Sequence, residues 1–354
     1  MKQQYALPQD TDPLLAAKHA GLHYVHDDVP GFTRQKKGDA FVYFDQHGHP
    51  IHAAMILERI HSIVIPPAWR DVWICPSPVG HIQATGIDER GRKQYRYHPK
   101  WQALRNHTKF EKIVSFGFAL PKIRTSIHTD LHGDSLTERR LLAAIVTLLD
   151  LTHMRVGNEE YAKSNHSYGL TTLQQKHAQV HGTEIRFRFR GKSGVHQDID
   201  VHDPRLAEVI RDCQEIRGHE LFHYQNEHGE WLPIHSDQVN DYIHSIANEH
   251  FTAKDFRTWG GTVSAAESFV DLGDKEGRPM KQAVIEAVKR AAQRLGNQPA
   301  TCKKYYIDPR IIDAYIEHEL CETLAKFLKQ KNRSSAHDLH PLEKGVHHVL
   351  QKKQ

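Results

Sequence analysis

From residue 155 onward, five side chains have the types needed for chemistry at a phosphodiester. Three are cations, one is an amide and one is a tyrosine: Arg155, Lys192, Arg257, Asn297 and Tyr306. A tyrosine hydroxyl can attack phosphorus without a metal ion if guanidinium groups hold the non-bridging oxygens and a lysine protonates the departing oxygen. The set therefore predicts transesterification of DNA that needs no metal ion and no other cofactor.

A β-hairpin is predicted to carry Lys192. Residues 184–190 alternate Ile and Phe with arginines, a period of two that indicates a strand with one buried face. The turn that follows, residues 191–194, would place the lysine between two glycines, where backbone freedom lets the ammonium group reach a neighbouring site. The same four residues are also consistent with an ordinary solvent-exposed turn.

A helix N-terminus is predicted just before Arg257. Thr252 and Asp255 have the spacing of a capping box, which puts the arginine in the first two turns of the helix. Free backbone N–H groups and the positive end of the helix dipole converge there with the guanidinium group. This arrangement favours a phosphate, although an arginine on a helix surface is the simpler alternative.

Arg155 is predicted to follow directly after an apolar helix. That helix contains the stretch Leu141 to Leu151 and begins at a capping box formed by Ser135 and Glu138. Gly157 indicates a break in the backbone that could aim the arginine inward. Alternatively, Arg155 only completes the helix C-terminus, where the helix dipole favours a cation.

Tyr306 is predicted to lie in a short segment between two helices. Gly296 would end the first helix, and Asp308 with the proline after it would begin the second. Two lysines directly upstream add positive charge that suits a nucleophile facing a phosphate, although a core tyrosine beside two lysines would look the same. Tyr305 is the competing nucleophile.

The charge distribution indicates a partner that is a polyanion. The 354 residues include 47 Lys and Arg against 43 Asp and Glu, a net charge of only +4 with histidine neutral. Between Arg90 and Lys109, however, seven basic residues occur with no acidic residue, interleaved with Tyr95, Tyr97 and Trp101. Basic side chains mixed with aromatic ones are typical of a nucleic-acid surface, although a solvated charged face has the same composition.

Length and periodicity predict an α+β protein of two domains. Residues 1–105 contain short apolar runs broken by Gly, Pro and Asp, which indicate a small β-rich N-terminal domain. Residues 106–354 have a mainly helical period, interrupted by the hairpin, which indicates a larger helical catalytic domain. The tail after about residue 330 is polar and rich in histidine, so we expect it to be mobile.

Several classes of protein are disfavoured by patterns that the sequence lacks. Four widely spaced cysteines without a CxxC pair argue against a disulfide framework and against a thiolate zinc site. No apolar signal segment is found at the N-terminus, and no apolar run is long enough to span a membrane. A GxxxxGK[ST] phosphate loop is also absent. We therefore expect a cytoplasmic protein that uses neither ATP nor a membrane.

Five segments resemble the type IB DNA topoisomerases, particularly their small poxvirus-like and bacterial branch. The segments are residues 91–97, residues 155–157 together with 169–173, residues 190–192, residues 254–259 and residues 295–306. Each is short, but five in the order of that family are specific. One departure lies at Asn297, where many relatives have histidine. An asparagine can donate an N–H group but cannot carry a charge or a titratable proton.

The resemblance implies relaxation of supercoiled duplex DNA by transient cleavage of one strand, without ATP or an obligatory metal ion. Tyr306 would attack the scissile phosphorus, leaving a 3′-phosphotyrosyl bond and a free 5′-hydroxyl that later reseals the strand. Arg155 and Arg257 would neutralise the non-bridging oxygens, with a hydrogen bond from Asn297. Lys192 would protonate the departing 5′-oxygen.

The resemblance also implies a monomer whose two lobes clamp double-stranded DNA, mainly through backbone phosphates. Tyr97 and Tyr161 would contact the DNA backbone, whereas Gln94 and Tyr95 would meet the target strand in the major groove. Lys254, three positions before the second arginine, is a further candidate for contact with DNA.

Three alternative functions are considered. A tyrosine recombinase has the same cation and tyrosine chemistry, but typically carries a histidine at the position of Lys254. A zinc metallopeptidase would use His219 and His223 of an HExxH motif on a helix, with Glu220 as the base. A DNA-binding protein without catalysis is disfavoured because Tyr306 and all three cations are present.

Overall fold

The computed structural model describes residues 12–133, 135–216, 218, 220–273, 279–330, 335 and 337–353. The chain divides into two compact units, one ending at Lys112 and the other beginning at Ile113, against an expected boundary near residue 105. The larger unit is mainly helical and the smaller one is built around a sheet, so the fold is α+β as predicted. Within the described residues, no helix is long and apolar enough to cross a membrane.

The first unit contains an antiparallel sheet of five strands in the order β2-β1-β3-β4-β5. Its elements are α1 (Pro13–His19), β1 (Phe32–Lys37), β2 (Ala40–Phe44), α2 (Ala54–Ser62), β3 (Arg70–Ile74), β4 (Ile82–Ile87) and β5 (Lys93–Tyr97). One face of the sheet is apolar and packs with α2, where Ile60, Val72, Ile74 and Ala84 are buried. Burial of such a face is the main stabilising contribution of a small antiparallel sheet.

A long helix, α3 (Pro99–Asp130), begins seven residues earlier than the helical period indicated. Its first turn carries Trp101, which is only 7% exposed and packs with Ala17 and Leu22. Trp101 is therefore a core residue of the first unit and not part of a nucleic-acid surface. The sequence did not indicate this role, because Trp101 lies among basic residues and few apolar residues nearby repeat at a helical spacing.

The second unit surrounds its hydrophobic core with helices and a small sheet. The remaining helices are α4 (Glu138–Thr152), α5 (Glu159–Asn165), α6 (Pro204–Glu215), α7 (Ser236–Ala247), α8 (Ala253–Leu272), α9 (Met280–Arg294), α10 (Pro299–Tyr305), α11 (Pro309–Ile316), α12 (Leu320–Leu328) and α13 (Pro341–Lys352). The strands are β6 (Ala178–His181), β7 (Glu184–Arg190), β8 (His196–His202), β9 (His223–Gln225) and β10 (Trp231–Pro233). Most residues of α4 and of α8 are buried in this core.

The predicted hairpin is confirmed as β7 and β8, the last two strands of an antiparallel sheet in the order β6-β7-β8. Ile185 and Phe187 are fully buried and Phe189 nearly so, while the arginines between them lie on the other face. The period of two therefore identified both the strand and its buried face.

The predicted capping box at the start of α4 is wrong. Thr137 is the N-cap, and its side chain accepts a hydrogen bond from the backbone N–H of Arg140. Ser135 lies two residues before this N-cap. Ser and Thr are both favoured N-cap residues, so residue type alone does not distinguish Ser135 from Thr137.

The end of the chain also differs from the expectation of a mobile tail. Residues Pro341–Lys352 form α13, which packs against α8, α11 and α12. Val346 and Leu350 are fully buried, and the ring of His347 bonds to the carbonyl oxygen of Val114. The apolar residues spaced four apart were obscured by the surrounding histidines and lysines.

The helical HExxH interpretation is wrong because the described part of the motif is not a helix. Glu220 forms an isolated bridge with Gln174, and His223 is the first residue of β9. His219 lies outside the described residues. Residues four positions apart lie on one face in a helix. The described part of the motif therefore lacks the geometry that a zinc site of this kind needs.

Candidate active site

A cleft of about 310 Å³ in the second unit brings together most of the predicted site residues. Its lining includes four of the five catalytic candidates and two of the DNA-contact candidates, namely Arg155, Lys192, Arg257 and Tyr306 with Tyr161 and Lys254. Asn297 joins this group through a hydrogen bond to Arg155. Residues that are separated by up to 151 positions in the chain therefore share one concave surface.

Arg257 is the most rigidly held member of the cleft. It lies in the second turn of α8, after the Thr252–Asp255 capping box, which is confirmed. The side chain is only 4% exposed, and it donates to the carbonyl oxygen of His153 and, over 2.9 Å, to that of Leu295. Burial, together with the nearby charge of Arg155, lowers the pKa of Arg257 to about 10.

Arg155 is positioned by a short stretch of paired backbone. The N–H groups of Leu170 and Thr171 donate to the carbonyl oxygens of Arg155 and Val156, at 2.9 and 2.7 Å. A Cβ atom on Gly169 would lie 2.6 Å from the backbone nitrogen of Gly157, so this close approach requires glycine. The two chain segments that the sequence analysis grouped around the first arginine are thus in direct contact.

The guanidinium group of Arg155 points to the loop that precedes α10. Both terminal nitrogens lie 3.5 Å from the carbonyl oxygen of Gly296, and one also donates to the side-chain oxygen of Asn297. Burial lowers the pKa of Arg155. Since Leu295 accepts from Arg257, three consecutive residues of one loop supply acceptors for both arginines.

The bond to Arg155 fixes the orientation of the Asn297 amide. An arginine can only donate, so the oxygen of the amide must face it and the nitrogen must face away. That nitrogen, Nδ2, is buried and has no partner among the described residues. It is therefore a free donor beside two guanidinium groups, which is an arrangement suited to an anionic oxygen.

Tyr306 directly follows α10, a seven-residue helix that the sequence analysis did not predict. Its N–H donates to the carbonyl oxygen of Cys302 over 2.8 Å, and its own carbonyl oxygen lies 3.3 Å from the hydroxyl of Thr262. A Cβ atom on Gly261 would lie 2.5 Å from that carbonyl oxygen. α8 therefore approaches the tyrosine closely and fixes its backbone.

The ring of Tyr306 lines the cleft, and the centre of the Arg257 guanidinium group lies 5.1 Å from the ring centroid. Tyr305, the competing candidate, is 37% exposed and contacts the ammonium group of Lys304 at 5.2 Å from its ring centroid. It does not line the cleft. Of the two tyrosines, Tyr306 is the one that lines the cleft with Arg155 and Arg257.

Lys192 occupies the exposed turn between β7 and β8. Ser193 has a φ of 63°, which allows the tight reversal of the chain. The ammonium nitrogen lies 5.6 Å from the ring centroid of Tyr161, which holds it loosely over the cleft. The contrast with Arg257 is clear, because a flexible side chain on a turn can move toward a substrate whereas the arginine cannot.

The remaining DNA-contact candidates belong to the first unit, on β5. Tyr95 and Tyr97 are 43% and 37% exposed, and their rings stack with centroids 5.9 Å apart. Gln94 lies on the opposite face of the strand, and its amide donates to Asp88 over 3.1 Å. The two tyrosines present an open aromatic surface, whereas the side chain of Gln94 is engaged within the protein.

Two backbone carbonyl groups were missed by sequence reasoning, those of His153 and Leu295 that accept from Arg257. No residue type indicates that a backbone carbonyl group will act as an acceptor. The adjacent glycines Gly260 and Gly261 in the middle of α8, however, could have indicated a close approach to this helix. Glycine destabilises a helix interior by about 1 kcal/mol relative to alanine, so a pair there indicates close packing. Gly260 indeed lies against the His153 ring, and Gly261 against Tyr306.

Comparison with known proteins gives two family matches. A family model described as the catalytic core of eukaryotic DNA topoisomerase I matches residues 98–333, and one described as the N-terminal domain of bacterial DNA topoisomerase IB matches residues 40–88.

Two viral relatives illustrate the similarity. A DNA topoisomerase 1B of Acanthamoeba polyphaga mimivirus is 29% identical over 295 residues, which cover 81% of this chain and 88% of the relative. A DNA topoisomerase 1B of vaccinia virus (strain Copenhagen) is 23% identical over 245 residues, covering 68% and 74%. Because the first family model alone spans about two thirds of the sequence, the chain belongs to the type IB DNA topoisomerase family.

Proposed function

We propose that this chain relaxes supercoiled double-stranded DNA by cutting one strand through Tyr306 and resealing it. The observation that carries the proposal is the cleft in which a half-buried tyrosine faces two anchored arginines and a movable lysine. A recombinase would use similar chemistry, but the chain belongs to the topoisomerase family. Relaxation of a plasmid is therefore the activity to test.

The phenol oxygen of Tyr306 releases its proton to solvent, attacks the scissile phosphorus and forms the new P–O bond of a 3′-phosphotyrosyl diester. Arg155 and Arg257 stabilise the charge on the non-bridging oxygens as the transition state develops. Nδ2 of Asn297 adds a neutral hydrogen bond to one of these oxygens. Because the donors are held before substrate arrives, little reorganisation is needed during the reaction.

Lys192 acts as the general acid. The P–O5′ bond breaks, its electron pair stays on O5′, and the lysine supplies the proton that this oxygen takes up. The reaction exchanges one phosphodiester for another, so little free energy is lost and the 5′-hydroxyl can attack the phosphotyrosyl bond in return. The strand is resealed without ATP once torsion has been released.

The proposal is tested by incubating negatively supercoiled plasmid with the protein in EDTA and without ATP. Wild type and Tyr305→Phe should relax the plasmid, and Tyr306→Phe should not. Denaturing the wild-type reaction should release protein joined to the 3′ end of a broken strand. Relaxation by Tyr306→Phe, or a covalent adduct on the 5′ end, would contradict the proposed chemistry.

DNA binding is proposed to depend mainly on phosphate contacts by a monomer that clamps the duplex. Lys254 and Tyr161, which line the cleft, are suited to such contacts, as is the exposed pair Tyr95 and Tyr97. If the protein neutralises six phosphates, raising the salt concentration from 50 to 200 mM should weaken binding about 10³-fold. A flat salt response would argue against this mode, and a second-order dependence of activity on protein concentration would argue against a monomer.

A further inference from the structure

Gln197 is a polar residue at a strand position where the alternating pattern would place an apolar residue. In β8 it shares the inward face with Ile199 and Val201, opposite Phe189 and Phe187 on the neighbouring strand. Its amide makes only a weak contact, 3.5 Å, with the carbonyl oxygen of His196. Packing against the sheet therefore does not explain why this residue is glutamine.

The side chain of Gln197 touches two backbone positions that adjoin the site. A Cβ atom on Gly296 would lie 2.5 Å from its Nε2 atom, and a Cβ atom on Gly191 would lie 3.3 Å from its Cγ atom. Gly296 has a φ of 60° and gives its carbonyl oxygen to Arg155. At Gly296 the contact requires a residue without a side chain, whereas at Gly191 an added Cβ atom would need only a small shift of Gln197.

Each glycine directly precedes a residue of the cleft chemistry. Gly191 comes before Lys192, and Gly296 comes before Asn297. One side chain thus spans the gap between the turn that carries the lysine and the loop that orients both arginines. The turn is otherwise exposed, so a contact at its first residue limits how far it can move relative to the loop.

We propose that Gln197 is a positioning residue that sets the distance between the Lys192 turn and the loop formed by residues 295–297. It would act by packing, since its aliphatic stem touches the turn and its amide covers the loop. The effect would be on the proton transfer from Lys192 to O5′. This inference rests on the proposed function, because it assumes that Lys192 protonates the leaving oxygen.

A substrate with sulfur in place of the bridging O5′ atom isolates that proton transfer. When the P–S bond breaks, the electron pair leaves on a thiolate, which is stable in water without a proton. A defect confined to the general acid should therefore disappear with sulfur. A defect in the arginines, in the nucleophile or in folding should remain.

The experiment measures single-turnover cleavage of two otherwise identical DNA duplexes, one with O5′ and one with S5′ at the scissile bond. Three variants are compared with wild type: Gln197→Ala, Gln197→Met and, as a matched control, Gln179→Ala. Gln179 lies exposed on β6 of the same sheet. Unfolding temperatures are recorded for all of them.

We expect Gln197→Ala to slow cleavage of the oxygen substrate by about 10- to 100-fold, the range expected when a catalytic group is displaced by a fraction of an ångström to one ångström. With the sulfur substrate its rate should lie within about 3-fold of wild type, as a general-acid defect requires. Gln197→Met keeps the length of the side chain and should resemble wild type, as should Gln179→Ala.

Equal slowing of both substrates by Gln197→Ala would overturn the proposal, and so would an unchanged rate on the oxygen substrate. A defect of Gln197→Met as large as that of the alanine variant would also overturn it, because packing would then not carry the effect. A different result would overturn the proposed function itself, namely the absence of a covalent adduct between wild type and either duplex.

Discussion

The cleft and strand β5 both present side chains suited to DNA, but the two regions hold them in different ways. In the cleft, Arg257 is almost fully buried and donates to two backbone carbonyl oxygens. On β5, Tyr95 and Tyr97 project from the sheet with more than a third of their surface exposed. One region is fixed before DNA arrives, and the other is free to adapt to it.

This difference matches what each region has to do. A group that stabilises a transition state must already lie where charge develops, since any reorganisation would raise the barrier. A group that only binds the duplex can tolerate a range of positions, because contacts to the repeating phosphate backbone are permissive. We therefore expect substitutions in the cleft to change the rate of chemistry, and substitutions on β5 to change affinity.

Replacement of Arg257 should give the largest effect. Arg257→Ala removes a donor to the non-bridging oxygens and leaves two carbonyl groups without their partner, so cleavage should slow by about 10²- to 10³-fold. Arg257→Lys should recover little, since an ammonium group cannot reach both carbonyl oxygens and the phosphate as a fork does. Single-turnover cleavage at saturating protein measures this. Full recovery by lysine would show that charge alone matters, which would weaken the distinction between the two regions.

Part of this arrangement was predictable from local sequence signals. The period of two from Ile185 to Phe189 gave the hairpin that carries Lys192, and the spacing of Thr252 and Asp255 placed Arg257 near a helix start. Both signals are local, because a strand face and a capping box are defined by neighbours in the chain. The grouping of the site residues came from the order of motifs that resemble one family.

The rest could not be predicted because it depends on contacts between distant segments. No local pattern indicates that the carbonyl oxygens of His153 and Leu295 hold Arg257, or that Trp101 is buried under a basic surface run. The helix α10 is only seven residues long and begins at a proline, so its sequence also fits a loop. Tertiary packing decides each of these cases.

The buried scaffold of the cleft should make the second unit sensitive to acid. Burial, with smaller contributions from Arg294 and Arg257, lowers the pKa of His153 to about 4. Between that value and the ordinary value of 6.5 the unfolded chain binds the proton and the folded chain does not, so stability falls as pH drops through this window. The full loss from this one group is about 3 kcal/mol.

His153→Asn tests this contribution. His153 has a φ of 54°, which asparagine tolerates better than most residues, and the backbone carbonyl that holds Arg257 is retained. We expect the free energy of urea unfolding to fall less between pH 7 and pH 4.5 in the variant than in wild type. The comparison uses the change with pH, because loss of the ring contact with Gly260 lowers stability at every pH. Parallel pH dependences would remove His153 as a source of acid sensitivity.

Replacement of both tyrosines on β5 should affect binding alone. Tyr95→Ala combined with Tyr97→Ala removes two exposed phenol groups, and loss of a hydrogen bond of about 1 kcal/mol from each should raise the Kd for duplex DNA about 30-fold. The cleavage rate at saturating protein should stay within about 2-fold of wild type, because nothing in the cleft is altered. Replacing Gln94 by alanine is a suitable control, since its amide bonds to Asp88. A reduced rate at saturation would show that β5 also takes part in organising the chemistry.

Substitution of Asn297 should change the cleavage rate less than substitution of Arg257, and its variants separate the contribution of charge from that of hydrogen-bond geometry. Its free Nδ2 group adds one neutral hydrogen bond beside two guanidinium groups, so Asn297→Ala should slow cleavage about 10-fold and leave DNA affinity nearly unchanged. Asn297→His can still donate an N–H group and should retain activity.

The pH dependence then separates two roles. If position 297 only donates a hydrogen bond, the histidine variant and wild type should have rate profiles of the same shape between pH 5 and 9. A new inflection near pH 6 to 7 in the histidine variant would mean that charge at this position contributes to the transition state, since imidazole titrates in that range. Equal rates for wild type and Asn297→Ala would instead place this residue outside the chemistry and leave Arg155 and Arg257 as the anion site.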